Sequence, residues 1–278
     1  MLKKKKPLKK KKIKSDLAYI FTLSDWQLGK VDLGVEKTLE RYDKALERAV
    51  AEVRQLGSVD EIYLLSMGDL TEGCYGFYDS QPHNVSLNLS QQYHLARKLI
   101  MKTVDTFLPY ANKIVLSGVP ANHGEMARSG KGQVVTSRLD NSDTMHLEIC
   151  QEIMEQNPRY KKVSVSIPEG FHHTVDIKGL TVGFTHGHMH SGGTGPEGKI
   201  MKWWQGQMFG DFPVGDAEIL ITGHFHHPRM MQQGNRTWFQ CPSIDASIDF
   251  TARTGMWSKP GVLTFTIDKD GWDNYKIV

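Results

Sequence analysis

The sequence predicts an α/β (α+β) fold in which two mixed β-sheets pack face to face and helices flank them. Between residues 17 and 116, apolar strands alternate with amphipathic helical segments, a pattern typical of a layered sheet. After Pro158 short apolar runs dominate, which indicates a second sheet. Because no repeat or long linker divides the chain, we expect one domain over residues 16–278, preceded by a Lys-rich tail over residues 1–15.

The first half of the chain predicts three helices. Apolar residues at helical spacing predict the first over residues 35–56. The second is predicted over residues 90–108, after Asn and Ser residues suited to capping. The third is predicted over residues 134–156, because the Asn157-Pro158 pair stops a helix.

Strands are predicted at the short apolar runs that remain. These runs are residues 19–23, 62–65, 113–116, 163–167, 174–177, 181–185, 218–222, 237–240 and 262–267. Two long connections, residues 71–88 and 187–210, are rich in glycine and aromatic residues, and we expect both to be loops. Long loops at strand ends usually carry binding specificity.

Polar motifs follow five of the predicted strands directly. Six of the twelve histidines lie between His186 and His227. The candidate ligands at these strand ends are Asp25, Gln27, Asp69, Asn122, His186, His224 and His226, with His123 beside them. Imidazole nitrogens and carboxylate or amide oxygens suit borderline or hard divalent ions, and no thiolate occurs in these motifs. The pattern therefore predicts a two-metal hydrolytic site.

These five motifs, taken in chain order, resemble those of the calcineurin-like metallophosphoesterase superfamily. They are Asp25-Trp26-Gln27, Gly68-Asp69, Asn122-His123, His186-Gly187 and Gly223-His224-Phe225-His226, and they extend over roughly residues 17–242. The resemblance implies a four-layer sandwich. The first two motifs look most like those of nuclease subunits of double-strand-break repair complexes and of phage-encoded phosphoesterases. Gly68-Asp69-Leu70-Thr71 is also similar to the cyclic-nucleotide phosphodiesterase branch.

The resemblance also implies a role for each candidate residue. One ion would be held by Asp25, Gln27, Asp69 and His226, and the other by Asp69, Asn122, His186 and His224. His123 is similar to the family histidine that contacts the phosphate and protonates the leaving oxygen, a task suited to imidazole.

Three positions depart from the family pattern. Gln27 stands at a usual histidine position, which predicts a weaker first ion and favours manganese or magnesium over zinc or iron. Ala121 replaces a usual glycine. Gly124 replaces an acidic residue, and the sequence leaves open whether Glu125, one position later, orients His123.

Charge is unevenly distributed along the chain. Nine lysines lie within the first 14 residues, so the net charge of +3 leaves −6 for the remainder. Such a run repels itself and is expected to be disordered when free. It either attracts the phosphate backbone of nucleic acid or serves only solubility.

The three scattered cysteines, together with the lack of a signal peptide or a spanning segment, predict a cytoplasmic protein that does not bind membranes.

Three functions are compatible with these observations. The first is a metal-dependent phosphodiesterase that hydrolyses DNA, as the site, the motif resemblance and the Lys-rich tail suggest. The resemblance to repair nucleases implies a partner ATPase or a homodimer. The second is the same chemistry on a cyclic nucleotide or another small diester. The third is a nucleic-acid-binding protein with a degraded site, which Gln27 favours.

Overall fold

The structure is a computed structural model of the 278-residue chain. It describes residues 15–32, 34–57, 59–128, 134–190, 192–246, 251–252, 255 and 257–278. Residues 1–14 carry the predicted Lys-rich tail, so that prediction lies outside the described residues.

The first sheet has six strands in the order β11-β10-β1-β2-β3-β4. Four parallel strands form one side of it, and β10 and β11 extend it in antiparallel fashion from β1. The strands are β1 (Ala18–Ser24), β2 (Glu61–Gly68), β3 (Lys113–Gly118), β4 (Val163–Ser166), β10 (Leu263–Asp268) and β11 (Gly271–Ile277).

The second sheet has five strands in the order β5-β6-β7-β9-β8. Its three central strands are parallel, and each edge strand is antiparallel to its neighbour. The strands are β5 (His172–Ile177), β6 (Leu180–Thr185), β7 (Ile219–Thr222), β8 (Arg229–Gln233) and β9 (Arg236–Gln240). Strands β8 and β11 were not expected from the sequence, because their residues are largely polar or half-exposed.

The first two helices lie within one residue of their predicted bounds. Helix α1 (Val35–Gln55) buries one face that includes Tyr42, Leu46 and Val53. Helix α2 (Leu89–Phe107) begins at a capping box, in which the Asn88 side chain accepts from the Gln91 N–H and the Gln91 side chain accepts from the Asn88 N–H.

Two of the helix and loop predictions were wrong. Helix α3 (Ser142–Glu155) begins eight residues later than expected, because the Asn141 side chain caps it by accepting from the Asp143 N–H. Helix α4 (Gly195–Phe209) lies inside the segment predicted as a loop. Its glycines disfavour an isolated helix, but tertiary packing of Ile200 and Trp204 stabilises it.

Four layers result from this arrangement. One apolar core lies between helices α1 to α3 and the first sheet, and includes Phe21, Tyr42 and Phe107. A second lies between the two sheets, where Phe184, Ile221, Phe239 and Phe265 are fully buried. A third joins α4 to the outer face of the second sheet through Trp204, Leu220 and Trp238. The predicted four-layer α/β sandwich is therefore confirmed.

No helix in the described part of the chain combines the length and the apolar character that crossing a bilayer requires.

Gly68 is predicted to be far less replaceable than Gly57, although both have a positive φ, +83° and +78°. A Cβ at Gly68 would lie 2.4 Å from the Ala121 Cβ, whereas nothing lies within 4 Å of one at Gly57. We expect Gly57→Ala to cost roughly 1–2 kcal/mol for the left-handed backbone. Gly68→Ala should cost about 1–3 kcal/mol more for overpacking. Urea denaturation measures both, and equal losses would contradict the packing argument.

Candidate metal centre

All seven predicted ligand residues follow the carboxyl ends of parallel strands, where the two sheets meet. Asp25 follows β1, Asp69 follows β2 and His186 follows β6. Asn122 lies after β3, and His224 and His226 lie after β7. The two sheets meet directly at this point, because the His224 N–H, after β7, donates to both carboxylate oxygens of Asp25, after β1, at 3.2 Å.

Four of these residues form a compact set, which we call the Asp69 group: Asp69, Asn122, His186 and His224. The His186 Nε2 lies 3.0 Å from both Asp69 Oδ2 and Asn122 Oδ1. Ligand atoms of Asp69, His186 and His224 all lie within 4.8 Å of one another. This is the spacing expected of side chains that share one ion.

The tautomer of His186 shows that the Asp69 group suits a cation. Its Nδ1 lies 2.6 Å from the Met67 carbonyl and must donate to it. The neutral ring therefore turns the Nε2 lone pair toward two oxygens, and three acceptors at 3.0 Å repel each other unless a proton or a metal ion lies between them. Burial lowers the pKa of His186, but Asp69, Asp25 and the Met67 carbonyl together raise it to about 9.

The remaining three residues form a second set, which we call the Asp25 group: Asp25, Gln27 and His226. Asp25 is fully buried, and its Oδ1 lies 3.2 Å from the His226 Nε2. Burial would raise the pKa of Asp25, but His226 outweighs burial and holds that pKa below its usual value. Asp25 and His226 thus offer an oxygen and a nitrogen suited to a divalent ion.

Gln27 does not present its amide oxygen to the other members of the Asp25 group. The oxygen accepts a hydrogen bond from the Lys30 ammonium at 3.0 Å, and the amide nitrogen lies 3.3 Å from the His226 Nε2. Only the oxygen of an amide can bind a metal ion. The Asp25 group therefore fits an ion through Asp25 and His226, but Gln27 as oriented does not contribute.

The backbone at the ligand positions is unusual. Residues with positive φ include Asp25, Gln27, Asp69, His224 and His226, with values from 43° to 68°. This left-handed conformation costs a non-glycine residue about 1–2 kcal/mol. Such strain persists only where surrounding contacts fix it, and it concentrates at functional sites.

His123 is held from three sides. Its backbone N–H donates to Asp69 Oδ1 at 2.8 Å, and its Nδ1 donates to the Glu72 carbonyl at 2.7 Å. Its ring stacks on Phe77, with centroids 4.4 Å apart and an interplanar angle of 3°. The Arg128 guanidinium lies 3.7 Å from the same Phe77 ring. With Nδ1 engaged, Nε2 is the nitrogen free to meet a substrate in the cavity that His123 lines.

The carboxylate beside His123 is Glu72, whose Oε2 lies 3.6 Å from the His123 Nδ1. Glu125, the residue considered from the sequence, instead forms ion pairs with Arg128 and Arg138. Sequence reasoning missed Glu72, although its position three residues after Asp69 at a strand end was an available signal. Burial raises the pKa of Glu72 above its ordinary value.

Asp143 supports the Asp69 turn from the first turn of α3. Its two oxygens accept from the backbone N–H groups of Asp69 and Leu70, both at 3.1 Å. Burial, followed by the nearby Asp69 charge, raises the pKa of Asp143 to about 7. This residue was also missed, because its role depends on the packing of α3 against β2 and β3.

Two further histidines, His188 and His190, lie near the predicted ligands in sequence. The His188 ring lies 5.3 Å from the His186 ring and 6.3 Å from the His224 ring. Burial and the neighbouring His186 lower the pKa of His188 to about 2. His190 stacks on Trp203 at 4.0 Å. Neither residue belongs to the Asp69 group or the Asp25 group.

A cavity of about 770 Å³ opens onto both ligand groups. Gln27, His224, His226 and His123 line its floor and are joined by Glu72. Its other lining residues are Lys30, Val31, Asp32, Tyr78, Asp79, Ser80, Asn84, Pro196, Phe225, His227 and Arg229. The volume accommodates a nucleotide-sized molecule.

Comparisons with known proteins find similarity only among solved structures. No family model matches the chain, and no curated protein matches it. An archaeal phosphodiesterase aligns at 13% identity over 94% of this chain and 99% of its own, with a TM-score of 0.41. The E. coli phosphoesterase Yfce aligns at 17% identity over 91% and 89%, with a TM-score of 0.37.

A third similar structure is the zinc complex of Vps29 from Entamoeba histolytica. It aligns at 12% identity over 91% of this chain and 88% of its own, with a TM-score of 0.40. Likenesses at these identities and scores say nothing about the activity or substrate of this chain.

Asp69→Asn is predicted to abolish tight Mn²⁺ binding while the protein remains folded. The substitution removes the negative charge that the Asp69 group offers to a cation, and the amide oxygen can still accept from the His123 N–H. Isothermal titration calorimetry measures the binding. Asp216→Asn, at an exposed carboxylate distant in sequence from the ligands, is the matched control. Unchanged Mn²⁺ affinity in Asp69→Asn would refute the assignment of Asp69.

Proposed function

We propose that the protein is a metal-dependent phosphodiesterase. The observation that carries this proposal is the Asp69 group, whose four nitrogen and oxygen donors converge. One of its members, His224, lines the same cavity as the stacked and hydrogen-bonded His123. Divalent ions at such a site neutralise phosphate charge and lower the pKa of a bound water toward 7.

The Asp69 group would hold one ion tightly, and Asp25 and His226, together with Asp69, would hold a second ion more weakly, because the Gln27 oxygen is engaged by Lys30. Manganese is the ion we favour, because carboxylate, amide and imidazole donors without thiolates suit it. Magnesium, zinc and iron(II) share part of this preference. Asp143 would keep the Asp69 carboxylate in place, because its two oxygens accept hydrogen bonds from the backbone N–H groups of Asp69 and Leu70.

His123 would transfer a proton to the leaving oxygen of the substrate from Nε2. The Glu72 carbonyl fixes Nδ1 as a donor, and a Glu72 carboxylate oxygen lies 3.6 Å from the same nitrogen. Phe77 and Glu72 hold the ring plane, so that little freedom is lost when the substrate binds.

DNA is the substrate that we propose first. Its support is the Lys-rich tail, since nine lysines within the first 14 residues of a phosphodiesterase would attract a polyanion. Partial neutralisation of the cavity rim favours a small diester as the second candidate. The Lys30 ammonium pairs with Asp245 at 2.9 Å and Arg229 pairs with Glu197 at 2.7 Å, so these two cations are already partly neutralised.

His123→Ala is predicted to lower the hydrolysis of bis-p-nitrophenyl phosphate while Mn²⁺ binding is retained. Loss of a general acid typically reduces turnover by about 10² to 10⁴-fold. Steady-state kinetics with Mn²⁺ and calorimetry on the same preparation measure the two properties. His94→Ala, at an exposed position on α2, is the control. Wild-type protein that hydrolyses no phosphodiester with any of the four metals would refute the proposed function.

Removal of the Lys-rich tail distinguishes the two substrates. If DNA is the substrate, a protein that begins at Ser15 should bind duplex DNA more weakly. Its salt dependence should also be shallower, by about 0.9 in log–log slope for each phosphate that the tail had neutralised. Its hydrolysis of the small chromogenic diester should be unchanged. Fluorescence anisotropy across a salt series measures the slope, and identical slopes for the two proteins would favour the small diester.

A further inference from the structure

Lys30 lies at the edge of the Asp25 group in a fixed position. Its Nζ donates to the Gln27 amide oxygen at 3.0 Å and pairs with an Asp245 carboxylate oxygen at 2.9 Å. The Lys30 side chain is 19% exposed and the Asp245 side chain 3% exposed, so the pair is largely shielded from water. An ion pair with so little exposure is screened much less by salt than a surface pair.

The ammonium determines which way the Gln27 amide faces. With its oxygen on Lys30, the amide NH₂ points toward the His226 Nε2, which is 3.3 Å away and lies 3.2 Å from Asp25 Oδ1. Rotation of the amide by half a turn would place NH₂ against NH₃⁺, and two donors cannot bond to each other. Lys30 therefore directs hydrogens, rather than a lone pair, toward Asp25 and His226.

The charge of Lys30 acts in the same direction as its hydrogen bond. Only one amide group separates the ammonium from His226. A divalent cation beside Asp25 and His226 would therefore meet an amide that turns its positive end inward, together with a like charge that Asp245 offsets only in part. Among the described residues, no lysine or arginine is a hydrogen-bond partner of the Asp69 group; its partners include Met67, Asp143, His123 and Asp25.

We propose that Lys30 is a built-in cation that keeps the Asp25 group from holding a second divalent ion at concentrations that fill the Asp69 group. The protein then works with one tightly bound ion and with the positive charge of a side chain in place of a second. This inference rests on the proposed function for the identity of the ion sites, but it concerns their stoichiometry and not the reaction.

The test is a Mn²⁺ titration of the wild type and of Lys30→Met. Calorimetry measures the number and affinity of the bound ions, and electron paramagnetic resonance shows whether two ions are coupled. Methionine keeps the apolar stem and removes the charge. We expect one tight Mn²⁺ per wild-type chain, with a six-line mononuclear spectrum. In Lys30→Met we expect the second site to tighten about tenfold or more, with the multiline spectrum of two coupled ions.

Lys30→Arg keeps the charge and should still bind one ion, and Lys37→Met removes an exposed lysine on α1 as a further control. If Lys30→Met does not fold, Lys30→Gln replaces it. Two equally tight ions in the wild type, or one ion in a folded neutral variant, would overturn the proposal while leaving the phosphodiesterase function standing. A wild type that binds no Mn²⁺ would overturn both the Lys30 proposal and the phosphodiesterase function. Asp69→Asn serves as the control that lacks tight Mn²⁺ binding.

Discussion

The burial of the Asp69 carboxylate is the constraint on which the rest of the structure depends. An ionised carboxylate in the protein interior is costly unless every oxygen has a partner. One oxygen accepts the His123 N–H from the segment after β3, and the other faces His186 at the end of β6. The Asp69 N–H donates in turn to Asp143 on α3. Both sheets and one helix must therefore meet at this residue, and the cavity exists because they do.

Much of the fold could be predicted because its information is local. Each core strand is an apolar run that ends at a polar residue, and α1 and α2 each bury a regular apolar stripe. Helix α4 has no such stripe, since only Ile200 and Trp204 are buried among its residues. Its stability comes from packing against residues outside the helix, Val214 and Trp238, and Trp238 lies on β9, so no pattern within the helix could reveal it.

The same distinction applies to the site. The predicted ligands stand beside their strands in sequence, and the structure brings the four residues of the Asp69 group together. The residues that tune the ligands were not predictable, because they approach through tertiary contacts. Lys30 and Asp245 are 215 residues apart, and Phe77 reaches His123 only because the loop after β2 folds back over the end of β3. The motif pattern predicts the ligands, whereas the contacts particular to this chain determine how each predicted ligand can be used.

The left-handed backbone at Asp25, Asp69 and His224 has a consequence for how this site can change during evolution. Glycine, asparagine and aspartate adopt this conformation readily, and β-branched residues adopt it at a high energetic cost. The backbone conformation therefore limits these positions to a few residue types, independently of any selection for catalytic chemistry. A lineage that lost its metal would still be expected to carry Asn, Asp, His or Gly at these turns, so the residues alone would be a poor guide to whether such a descendant remains active.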